Sequence, residues 1–140
     1  MSEADNKTVG RRIVEAINTG NVAEIDALFA DNHVEHGAPP GVPPTKEGLK
    51  SVLMALRAAF PDLKYTVEDE VAEGDFLVQR VTGHGTQSGP LFHFPASGKH
   101  AMWSEIHMGR IVGGKFTEHW ANVDQVGMMV QLGHVKPPGG

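Results

Sequence analysis

The chain has 140 residues, enough for one domain with a core of its own. It contains no cysteine, which excludes disulfides, thiolate metal sites and cysteine nucleophiles. A formal net charge of −5 leaves no basic surplus for a phosphate backbone, so nucleic acid is not expected as a partner. The stretch Met1 to Arg12 is polar, and no apolar run is long enough to span a membrane. A single soluble, cytoplasmic domain over residues 1–140 is therefore expected. Eight histidines stand beside a single tyrosine, and full protonation of them would move the formal charge from −5 to +3.

An amphipathic helix is predicted over Glu3 to Asn18, where Val9, Ile13, Ala16 and Ile17 form one apolar stripe. Asn21 is placed to cap a second helix, with Glu24 three residues on, and Asp31-Asn32 stops it. His33 to His36 reads as a short strand, and the proline- and glycine-rich Gly37 to Pro44 as a loop. Thr45 caps a third helix whose apolar face runs through Leu49, Val52, Leu53, Leu56 and Phe60, and Pro61 ends it.

From there the period changes to two. Leu63, Tyr65, Val67 and Val71 alternate with Lys64, Thr66, Glu68 and Glu70. A turn at Glu73-Gly74-Asp75 leads into a strand from Phe76 to His84, and Gly85 to Gly98 reads as a long loop. His100 to Val112 is a long strand, Gly113-Gly114 a hairpin turn and Phe116 to Val123 the return, before a final short helix from Asp124 to Leu132. The order implies α+β architecture, with helices against one face of a bent antiparallel sheet and a small-molecule pocket between the layers.

Strand parity narrows the candidate site. Trp103, Glu105 and His107 share one face of their strand; Met102, Ser104, Ile106 and Met108 share the other. If the first face points inward, Glu105 can orient the His107 imidazole in the pocket. If the apolar face is the core, these polar groups are solvated, and both readings stay open. Arg80 and His84 share parity and either bind a substrate carboxylate or oxyanion or face solvent. Trp103 and Trp120 are walls for a flat apolar ligand or ordinary core. With Trp120 inside, His119 has the wrong parity, and it joins His93, His100 and His134 as a surface residue. His33 and His36 would face opposite sides of a strand, so no metal site is expected, and Gly83-x-Gly85 precedes no helix, so no dinucleotide loop is implied.

Three ordered stretches carry a family resemblance. They are Ala59-Phe60-Pro61-Asp62-Leu63 continuing to Glu73-Gly74-Asp75; Gly85-Thr86 to Ser97-Gly98-Lys99; and Ile106 through Gly114-Lys115, Glu118, Trp120 and Asp124 to Gln131-Leu132-Gly133. Together they resemble the SnoaL-like polyketide cyclase family of the nuclear-transport-factor-2-like superfamily. The resemblance implies a cone-shaped α+β barrel of three helices on a strongly bent antiparallel sheet. It also implies a cofactor-independent intramolecular aldol condensation on a small apolar or aromatic carbonyl compound. Asp124 takes the position of the family's acid/base residue, with the helix N-cap as its alternative role, and His36 stands in a segment that reaches the family's pocket. His107 and His36 would assist Asp124. Trp120, Trp103, Glu105, Arg80 and His84 would bind substrate, and no metal or cofactor is implied. Family members pair through the convex sheet face, which implies a homodimer or a dimer of dimers. Val81, Gln87, Trp103, Glu105 and His107 depart from the family pattern. A dehydratase, an isomerase or a non-catalytic small-ligand-binding dimeric module on the same scaffold remains an alternative.

Overall fold

The computed structural model describes residues 2–139; Met1 and Gly140, the ends of the expected 1–140 domain, lie outside the described residues. Helix α1 spans Glu3–Thr19 and begins in a reciprocal cap, in which Ser2 Oγ accepts the Asp5 N–H and the Asp5 carboxylate accepts the Ser2 N–H. The Asn21 cap also forms, its side chain accepting the Glu24 N–H at 3.1 Å to start α2 (Val22–Leu28). Here the chain turns to strand sooner than expected: β1 spans Phe29–Glu35 and absorbs the Asp31-Asn32 pair predicted to stop the helix. Helix α3 (Lys46–Ala59) starts from Thr45, whose hydroxyl accepts the Gly48 N–H.

The remaining elements are β2 (Lys64–Glu73), β3 (Phe76–Thr86), β4 (His100–Val112), β5 (Lys115–Val123) and α4 (Gln125–Gln131). Gly113 and Gly114 adopt φ of 59° and 80°, the left-handed backbone that the two-residue turn between β4 and β5 requires. The strands lie in the order β1-β5-β4-β3-β2. Neighbours from β2 to β5 are antiparallel, but β1 runs parallel to β5. The sheet is therefore open and mixed, where an all-antiparallel one was expected. The segment after β1 crosses to the far edge through α3, and the meander that follows returns β5 to the side of β1 in the same direction.

Two bulges decide which side chains enter the core. In β2 the register steps from Val67↔Val81 to Asp69↔Arg80, leaving Glu68 as an extra residue. Beyond it the alternation inverts, so Val71 is 65 % exposed rather than part of the core stripe. In β5 the register steps from Glu118↔Arg110 to Phe116↔Ile111, leaving Thr117 extra. Phe116 and Trp120, on one face by simple parity, are thereby split between the two faces. The helices cover the concave face in two apolar clusters, one around Phe60, Trp103 and Leu132, the other around Ile25, Leu77 and Ile111.

Candidate active site

A cavity of about 470 Å³ lies between the helices and the concave face. Aliphatic side chains such as Ile13, Leu53, Val81 and Met129 make most of its wall. Phe92, Val126 and Val135 line it and are exposed, so they mark its mouth. Against this wall stands one polar array, contributed by β1, β5, β4 and β2.

Residues 103, 105 and 107 all point inward. Trp103 and Glu105 are buried, whereas Met102 and Ile106 on the opposite face are 57 % and 52 % exposed. The Trp103 indole N–H donates to Glu105 Oε2 at 2.6 Å, and His107 Nε2 lies 2.6 Å from Glu105 Oε1. His107 Nδ1 is 2.8 Å from His119 Nε2, with the two rings stacked at 5.0 Å. His119 Nδ1 is 2.7 Å from Glu35 Oε2, and Glu35 Oε1 is 3.0 Å from His33 Nε2. His33 Nδ1 ends the chain on the Phe116 carbonyl at 3.2 Å. The parallel pairing of β1 with β5 makes this possible, because it sets Glu35 directly beside His119. Gly83 contributes from β3: a Cβ there would come within 2.8 Å of the Trp103 ring and 2.7 Å of the Tyr65 ring, so glycine lets both aromatics lie over the strand beside Glu105.

Burial alone would raise both carboxyls, but their partners prevail. Hydrogen bonds and charge from His119 and His33 bring Glu35 down to about 2 from 4.5. His107, Trp103 and Tyr65 likewise hold Glu105 below the usual carboxylate range. Burial, then the adjacent Glu105 charge, pushes the Tyr65 phenol well up, so it stays a hydrogen-bond donor. Burial lowers His119, and the attraction of Glu35 offsets this only in part. The array thus combines ionised carboxylates with imidazoles against a mostly aliphatic wall, an arrangement suited to proton transfer. Among the described residues no group of three or more His, Asp or Glu is arranged to hold a metal ion.

Comparison with known proteins sets this geometry in a lineage. The profile of the SnoaL-like polyketide cyclase family matches residues 7–132. The chain belongs to this family. It is 30% identical over 130 residues to aklanonic acid methyl ester cyclase DnrD of Streptomyces peucetius, covering 91% of this chain and 90% of that protein. The solved structure of TsrD from Streptomyces laurentii superposes with a TM-score of 0.87 at 29% identity, covering 96% of this chain and 99% of that one. IdmH of Streptomyces antibioticus superposes with a TM-score of 0.82 at 32% identity, covering 91% and 98%.

On this SnoaL-like scaffold the predicted site residues separate cleanly. Glu105 and His107 line the cavity, while Trp103 shares their strand face but packs in the apolar core beside Phe60, so it is core rather than a cavity wall. Asp124, expected as the acid/base residue, does not join them: it is exposed, and its carboxylate caps α4 by accepting the Gly127 N–H at 2.9 Å. His36 and Trp120 lie on the convex face, stacked on each other at 4.6 Å, with His36 Nε2 on Glu118 Oε2 at 2.8 Å. The expectation of Trp120 as a pocket wall fails because the Thr117 bulge turns it outward, and the same bulge turns His119, assigned to the surface, inward. Arg80 is exposed and paired with Asp69 at 2.7 Å; His84, half-buried on the same outer face, packs against His100. Glu35, His33 and His119 are the members that sequence reasoning missed. The alternation in His33-x-Glu35, which puts both on one strand face, was the available signal.

Proposed function

We propose that this chain is a cofactor-independent ring-closing enzyme of the polyketide cyclase type, acting by intramolecular aldol condensation on a small apolar or aromatic carbonyl compound. The observation that carries the reading is the hydrogen-bonded His107–Glu105 pair in a cavity of about 470 Å³ whose wall is mostly aliphatic. An aldol closure removes a proton from the carbon beside one carbonyl and delivers a proton to the oxygen of another. An imidazole exchanges protons in both directions near neutral pH. His107 is the ring most open to the cavity, with 27% of its side chain exposed against 16% for His119 and 0% for His33. Glu105 fixes its orientation and balances the charge it acquires. The aliphatic wall holds the carbon skeleton and excludes the water that would compete for the enolate.

The assay is incubation with aklanonic acid methyl ester, the compound in the name of the relative DnrD, and with other aromatic polyketide methyl esters, followed by chromatography. His107→Asn is expected to lower kcat by roughly 100-fold or more. Wild-type turnover by a folded His107→Asn variant overturns the role of His107. Product structure separates the dehydratase and isomerase readings, since loss of water or a shifted double bond would replace ring closure. We also read the convex face as the surface of a homodimer, on the strength of the exposed Val71, Met102, Ile106 and Val112.

A further inference from the structure

We infer that His107 and His119 hold one extra proton between them and act as a matched acid and base, each backed by its own carboxylate, with Glu35 and His33 as positioning residues. The inference rests on the acid/base reading above and deepens it by assigning the second proton carrier.

The argument is a count of protons. Five contacts link the array: His33 to the Phe116 carbonyl, His33 to Glu35, Glu35 to His119, His119 to His107, and His107 to Glu105. Each contact needs one proton, because none sets two lone pairs face to face and two would clash. Three neutral imidazoles supply three of these protons, so the complete array carries two more. With Glu35 and Glu105 ionised, the added protons cancel the two negative charges, and the array is neutral as a whole. Neutrality is what a low-dielectric cavity demands of buried ionisable groups.

The placement of the protons follows. The Phe116 carbonyl only accepts, so His33 Nδ1 carries a proton, and His33 Nε2 donates to ionised Glu35. One added proton is therefore on His33. Glu35 and Glu105 draw the outward N–H of His119 and of His107 respectively, which leaves the inner nitrogens, 2.8 Å apart, to share the other. Among the cavity-lining residues the titratable groups facing this pair are Glu35, Tyr65 and Glu105; α1 and α3 present aliphatic side chains such as Ile13, Val14, Leu49 and Leu53.

Such a pair is an imidazolium and an imidazole side by side. In turnover the substrate parts the two inner nitrogens, and the inner nitrogen of the neutral ring, its lone pair freed from the shared proton, takes the proton from the substrate carbon. The freed electron pair forms the new C–C bond, and the protonated ring gives its N–H proton to the acceptor oxygen, which becomes a hydroxyl. The rings have then exchanged charge with no net change in protons, and transfer across the N···N bond restores the start. The carboxylate behind each ring stabilises the imidazolium on whichever side it stands.

Nitrogen NMR of the full chain, labelled in its histidines, tests the proton count without a substrate. The wild type near neutral pH is expected to show one downfield proton coupled to a nitrogen of each ring, lost in His107→Gln and in His119→Gln. An unprotonated inner nitrogen on both rings in the wild type overturns the inference. In turnover, His119→Asn is expected to lower kcat within about tenfold of His107→Asn, with the double variant little worse than either. Wild-type turnover by His119→Asn also overturns it, and leaves the role of His107 to be judged on its own variant. Glu35→Gln keeps the shape and one acceptor oxygen for the two imidazole N–H groups but removes a negative charge, so the shared proton leaves at lower pH and the alkaline limb of the pH–rate profile moves down. A purely structural role for Glu35 would lower the rate without moving that limb.

Discussion

Each face of the sheet carries a glutamate–histidine pair, the inner one on β4 and the outer one between β5 and the residue that follows β1, and the two pairs have different fates. Glu105 and His107 meet at 2.6 Å on the concave face; Glu118 and His36 meet at 2.8 Å on the convex face. The inner glutamate side chain is 5% exposed and is also held by Trp103, whereas the outer one is 29% exposed and shared with Arg110. The bonds are nearly alike in length, so the difference is the medium. Water and salt screen the outer pair, and the inner pair is held in a cavity where an unmet donor has nowhere else to turn.

The largest expected effect comes from breaking the inner pair. Glu105→Ala strands the Trp103 indole N–H, the His107 N–H and the Tyr65 hydroxyl. It should cost about 3 kcal/mol or more in chemical denaturation. Glu118→Ala on the convex face should leave the denaturation midpoint unchanged, and equal shifts in the two variants would sink the contrast. Acid titration comes next. Because Glu35 is depressed to about 2 in the folded chain, its stabilisation is present above the unfolded carboxylate value and is lost as pH falls from about 4.5 through 2. That is worth roughly 3 kcal/mol, and a Glu35→Gln stability profile should lack this acid limb. Gly83→Ala forces Trp103 or Tyr65 to move and should cost about 1–3 kcal/mol, with a changed near-ultraviolet tryptophan signal. On the outside, Met102→Ser with Ile106→Thr should alter unfolding by no more than about 0.5 kcal/mol for each site. If the convex face joins two copies, light scattering should fall to the single-chain mass of 15.0 kDa. Smallest of all, Asp124→Asn keeps a capping side chain and lies outside the cavity, so neither the midpoint nor turnover should change.

The local elements were readable because their causes are local. The Asn21 and Thr45 caps, the glycine pair between β4 and β5 and the two-residue alternation of β4 are written within a few residues of where they act. The bounds of β4 match those expected from the sequence. So did the shared face of Trp103, Glu105 and His107, since parity along an unbroken strand needs no partner. Which face turned inward was another matter. By composition alone the Met102–Ile106 face looked the more suited to burial, and it is the one left outside.

Sequence by itself determined the α+β order, the caps and turns, the family of the fold and the inward trio as a unit. Tertiary structure decided the rest. The bulges at Glu68 and Thr117 exist only as register steps between paired strands, and each reverses every side chain beyond it. The pairing of β1 with β5 brings Glu35 to His119 across 84 positions of sequence, a distance over which no local pattern carries information. Polar residues are buried where the helices close over one face of the sheet, and they are held there because they satisfy one another's hydrogen bonds.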